Sequence, residues 1–117
     1  MLSLALPGKV FLCLSPADMR KSFDGLSELV RTGLGGDPLS GHLFVFRNAR
    51  GDRLKLLYWD SDGLAVWAKR LERGTFQFPS ASSGARSVEV SPTELALILG
   101  GIDLVSAKRR PRYRRPA

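Results

Sequence analysis

The sequence predicts a single α+β domain: an antiparallel β-meander sheet of about five strands, one long helix in the N-terminal half and one short helix near the C-terminal end. Three observations carry that prediction. Turn-forming residues recur at hairpin-length intervals between residues 41 and 79, which favours antiparallel neighbours over long crossovers. Two Ser-Pro pairs, Ser15-Pro16 and Ser91-Pro92, have the chemistry of helix starts. A chain of 117 residues has room for one modest core.

"KVFLCL" (residues 9–14) has the length and β-rich content of a strand. Ser15 then serves as cap, with Pro16 first in the helix and Asp18 third, near the positive end of the dipole. Met19, Phe23, Leu26, Val30 and Leu34 follow at helical spacing, and "GLGGD" ends a helix expected over residues 16–34. "RNARGD" separates "HLFVF" from "RLKLLYW", "DSDG" separates that strand from "LAVWAKRL", and "ERG" precedes a further expected strand, "TFQF". "SASSGAR" is a loop and "SVEV" one more strand. In "SPTELALIL" Ser91 caps, Pro92 leads and Glu94 completes a capping box, giving a short helix over 92–99 closed by Gly100 and Gly101. The two helix starts share capping chemistry and are too short to argue a repeat. Beyond Val105 nothing is periodic, so residues 1–106 are expected to form the domain and 107–117 a disordered basic tail.

Charge is the unusual quantity. Eighteen Lys and Arg stand against eleven Asp and Glu, a net +7. Six of the bases (Lys108, Arg109, Arg110, Arg112, Arg114 and Arg115) lie in the last ten residues, and without them the body carries only +1. A near-neutral domain with a basic tail points to polyanions, nucleic acid first. Cys13 is the only cysteine, which excludes an internal disulfide and suits a small buried residue in a reducing compartment. No run approaches a membrane span, and Pro7, Gly8 and Lys9 interrupt the apolar start before a signal-peptide core forms. The expected location is cytoplasmic and nucleoid-associated, with no membrane partner.

Enzyme chemistry finds few candidates. His42 is the only histidine, so there is no zinc spacing, and "GLGGD" follows a helix where a phosphate loop would precede one. Asp60 and Asp62 lack the further carboxylates of a calcium loop, and "RGD" at residues 50–52 reads as a turn. No cofactor is expected. In the first helix Asp18, Arg20, Lys21 and Asp24 lie off the apolar stripe, as a solvated face or a binding face. On "RLKLLYW", Arg53, Lys55, Leu57 and Trp59 share one side. Joined by Trp67 from the next strand, that side is either an aromatic and basic binding surface or core covered by helices.

"DMRKSFDGL" (18–26), "GHLFVFRNARGDRLKLLYWDSDGLAVWAKRLERGTFQFP" (41–79) and "LGGIDL" (99–104) together resemble the small TnpB-type (Orf2) accessory proteins of the insertion-sequence-66 family, which are unrelated to the RNA-guided nucleases sharing the TnpB label. The motifs keep their order and distances from about residue 9 to 104. Ser22 stands where the family often has glycine, and "DSDG" varies its usual turn. The resemblance implies a component of a bacterial mobile element, encoded beside a larger DDE-type transposase and without catalysis of its own. The expected function is therefore a non-enzymatic accessory protein of transposition that binds DNA, the transposase or both. Expected binding residues are Arg20, Lys21, Asp24, Arg47, Arg53, Lys55 and the six tail bases. Two competing functions are a metal-dependent nuclease using Asp18, Asp24, Asp60 or Asp62, and a protein-interaction adaptor that does not touch DNA. The sequence leaves the oligomeric state open.

Overall fold

Side chains on successive strand positions point to opposite faces, and here both faces are apolar and each is covered by a helix. The computed structural model describes residues 8–101. Its elements are β1 (Val10–Cys13), α1 (Phe23–Glu28) running into a π-helical turn (Leu29–Gly33), β2 (Leu43–Arg47), β3 (Arg53–Asp60), β4 (Gly63–Arg70), β5 (Ser87–Val90) and α2 (Pro92–Gly100). The strands form one sheet in the order β4-β3-β2-β1-β5.

On one face Val10, Leu12, Leu43, Val45, Leu54 and Leu56 pack with Phe76 and with Leu95 and Ile98 of α2. On the other, Cys13, Phe44, Phe46 and Leu57 pack with Ala17 and with Leu26 and Val30 of α1. Coverage on both sides explains why β1 and β2 are almost continuously apolar rather than alternating.

The α+β class and the five strands agree with the sequence; four details do not. First, the sheet is mixed: β1 pairs parallel with β2, while β2-β3, β3-β4 and β1-β5 are antiparallel. The segment joining β1 to β2 contains α1, so the chain crosses over and returns in the same direction. Second, the first helix is short. It starts at Phe23 behind Ser22, and its α and π parts hold six and five residues. Ser15 caps nothing, because residues 15–22 are held by other bonds: Ala17 N–H donates to the Arg47 carbonyl (2.9 Å) and Arg20 N–H to Asp18 Oδ1 (2.9 Å). The periodic residue Phe23 is consequently 47% exposed, while Leu26 and Val30 are buried. Third, "TFQF" is not a strand. It is an irregular segment anchored by Phe76, whose N–H donates to the Gly51 carbonyl (2.8 Å) and whose ring is buried. Fourth, Trp67 lies opposite Leu56, so it packs against the α2-side core and not beside Trp59. Leu57 is core, as the covering-helix alternative required.

Turn chemistry accords with the sequence. Asn48 and Asp52 join side chains across the β2-β3 turn (2.7 Å), and Gly51 takes φ +80 with its Cβ position 3.3 Å from Thr75. At Ser91 the capping box is complete in both directions, and Gly101 ends α2 in the left-handed conformation. The expected tail, residues 107–117, lies outside the described residues.

Candidate functional site

α1 begins late, and this shapes the sheet's surface on that side. A helix over 16–34 would run about 28 Å, at 1.5 Å per residue, but the observed eleven residues reach only about 16 Å. The open end of the β3-β4 hairpin is left to the turn at residues 18–22.

Asp18 builds that turn. Its carboxylate accepts from the Arg20 backbone N–H (2.9 Å), from Arg20 Nε (3.0 Å) and from Arg20 Nη2 (2.7 Å). These bonds, the side-chain ones first, lower the Asp18 carboxyl from its ordinary 3.8 to about 2, and the same pairing raises Arg20. Lys21 N–H donates to the Asp18 carbonyl (3.1 Å), and Lys55 Nζ donates to the Lys21 carbonyl (2.7 Å), pinning the turn to β3. Gly25 makes room for this. A Cβ there would come within 2.9 Å of Lys21 Cβ and Cγ, so the Lys21 stem lies against a bare position on the helix. The "DMRKSFDGL" string is thus a carboxylate-built turn leading into a helix.

Below the turn lie two shallow clefts. One, of about 510 Å³, opens between Met19, Arg53, Lys55, Ala68 and Arg70. The second, of about 480 Å³, lies among Asp18, Arg20, Asn48, Arg50 and Arg53. Met19 and Arg53 line both. The three carboxylates that line them are already engaged: Asp18 with Arg20, Glu72 with Arg70 (3.2 Å), and Asp52 with the Asn48 amide, whose hydrogen bond is the main cause of its lowered pKa. Among the described residues Arg50, Arg53 and Lys69 make no ion pair. Across the hairpin, Arg53 stands directly opposite Arg70.

The expected site residues separate accordingly. Arg53 and Lys55 share the α1 side with Arg20. Lys21 and Asp24 are exposed on the same side, but neither lines the two clefts. Arg47 is elsewhere: it lies opposite Leu54, on the α2 side. Its guanidinium sits 4.1 Å from the Phe78 ring centroid and Nη1 donates to the Phe76 carbonyl (3.0 Å), and burial lowers its pKa. The six tail bases lie outside the described residues. Lys69, opposite Leu54, lies on the α2 side. The sequence reading missed Arg50 and Arg70. Their signal was the two-residue "SD" turn: with Asp60 opposite Gly63, counting back along the strands sets Arg70 against Arg53.

Other candidates take structural places. His42 Nδ1 accepts from Lys9 N–H (2.9 Å), and its ring meets Phe11 edge-on at 5.4 Å. Cys13 is buried, its thiol raised by desolvation and donating to the Ser15 carbonyl (3.6 Å). Among the described residues no three His, Cys, Asp or Glu side chains come together as a metal site, and no helix is long and apolar enough to cross a membrane.

Comparison with known proteins adds a setting. A family model described as IS66 Orf2 like protein matches residues 8–109. An uncharacterized protein of Sinorhizobium fredii (strain NBRC 101917 / NGR234), y4jC, is 40% identical over 103 residues, which cover 88% of this chain and 86% of the relative. A second from the same strain, y4hO, is 41% identical over 95 residues, covering 81% of each. No solved structure matches.

Proposed function

The chain belongs to the IS66 Orf2-like family, and on that premise we propose that this insertion-sequence accessory protein acts without catalysis, by holding DNA for the element's transposase. The observation that carries the proposal is the pairing of Arg53 with Arg70. Like charges directly opposite on a sheet are destabilising; Glu72 pairs with Arg70 at an exposed 3.2 Å contact, and Arg53 makes no ion pair among the described residues. A phosphate backbone relieves such a pair. Arg50 and Lys55, which line the same clefts as Arg53, would extend the contact along it. Contacts of this kind position a protein on DNA without reading sequence. The six tail bases would add attraction over a longer range.

The test is a labelled duplex titrated with wild-type protein and with the Arg53→Gln/Arg70→Gln variant. Binding should weaken in the variant while thermal stability holds or rises, because a repulsion is removed. Equal affinity in the two proteins would refute the proposal. Capture of the transposase in the presence of nuclease would show that the contact between the two proteins does not depend on DNA.

A further inference from the structure

Among the described residues nothing pairs with the outer edge of β4, an eight-residue strand at one end of the sheet. Exposed edges invite pairing, and proteins usually blunt them with charge, proline or a short strand. β5, the opposite edge, is blunted by length, with four residues. The β4 sequence from Leu64 to Ala68 carries no charge, proline or glycine.

The ladder fixes which backbone groups are free. Leu71 N–H donates to the Asp52 carbonyl (2.7 Å), so residues 52 and 71 are a bonded pair. Bonded pairs alternate along an antiparallel ladder. Lys69, Trp67 and Ala65 therefore bond to β3, and Arg70, Ala68, Val66 and Leu64 turn their N–H and C=O groups outward. The edge also has unlike ends, with Asp60 and Asp62 at the turn and Lys69 and Arg70 at the other end. Neither aspartate makes an ion pair among the described residues, and the Arg70–Glu72 pair is exposed.

We infer that β4 is a self-association edge, on which a second copy of this chain adds antiparallel to make one ten-stranded sheet. Antiparallel addition brings the basic end of each copy to the acidic turn of the other, whereas parallel addition stacks like on like. With Val66 on the two-fold axis, Arg70 falls opposite Asp62 of the second copy, and Ala68 opposite its Leu64. Directly opposite residues share a face, so the two basic clefts come to lie on the same side of the joined sheet. The inference stands on the edge alone and does not depend on DNA binding.

The experiment is sedimentation of the full-length chain, freed of nucleic acid, over low to high micromolar concentration. A concentration-dependent dimer is expected. Ala68→Pro removes an outward N–H and no bond to β3, and should weaken the dimer at least about tenfold with unchanged circular dichroism. Arg70→Asp should weaken it also, and adding Asp62→Arg should restore it, a rescue that a role inside one copy would not produce. A monomer at every concentration would overturn the inference. So would a dimer indifferent to both Ala68→Pro and Arg70→Asp, or slow hydrogen exchange at Val66 and Ala68 in a monomer, which would mean that another part of the same chain covers the edge.

Discussion

Arg47 and Arg53 look alike in the sequence, both arginines at strand ends beside the same turn, and the fold gives them opposite faces of the sheet. Arg47 is half-buried, stacked on Phe78 and bonded to the Phe76 carbonyl. Replacing it with alanine should cost about 1–3 kcal/mol, from the lost stacking and the carbonyl left without its donor, measured by urea unfolding. Arg53→Ala, at an exposed site, should change stability by less than about 0.5 kcal/mol. The sequence showed the charges but not this division, because strand alternation tells which residues share a face and not which face an irregular segment such as 75–78 will cover. Asp18 offers a pH test. Its folded pKa of about 2 lies below its ordinary 3.8, so its ionised form stabilises the folded state above pH 4 and that contribution is lost as pH falls towards 2. Carboxyl NMR titration should place the Asp18 midpoint near 2 in the wild type, and Arg20→Ala should move it upward.

Two Ser-Pro pairs, both expected as helix starts, separate at the scale of elements. Ser91 accepts from Glu94 N–H (3.1 Å) and donates its own N–H to the Glu94 carboxylate (3.0 Å). Ser91→Ala should therefore cost about 1 kcal/mol, whereas Ser15→Ala should cost almost nothing, since no helix begins there; urea unfolding of the two variants side by side reads the difference. What distinguished them was Asp18. At the third position of the first helix start it looked like a partner for the dipole, but a carboxylate two residues before Arg20 also closes a local turn, which competes with helix. The parallel β1-β2 pair had a legible cause: a strand, a helix and a strand in succession is the sequence of a crossover. The β2-β3 and β3-β4 hairpins that follow were read correctly and outweighed it. Phe76 left no periodic trace, because one buried ring in an irregular segment follows neither a period of two nor one of 3.6.

In the molecule as a whole, the short α1 and the double-covered sheet leave part of one face bare. The apolar groups of β1, β2 and the middle of β3 are sealed on both faces. Arg50, Arg53, Lys55 and Arg70 line the two clefts at the open end of the β3-β4 hairpin, although the body as a whole is nearly neutral. The overall +1 hid this concentration, since net charge says nothing of placement. The central claim is that this face meets phosphate independently of the tail, and salt dependence of duplex affinity tests it most directly. Six tail contacts would contribute about −5 to the slope of log K against log salt, at 0.9 per phosphate. Protein lacking residues 107–117 should still bind with a slope near about −3, the value for three contacts, and changing Arg50, Arg53 and Arg70 together to glutamine should bring that slope close to zero. A truncated protein that does not bind, or whose slope is the same with and without those three arginines, would contradict the account.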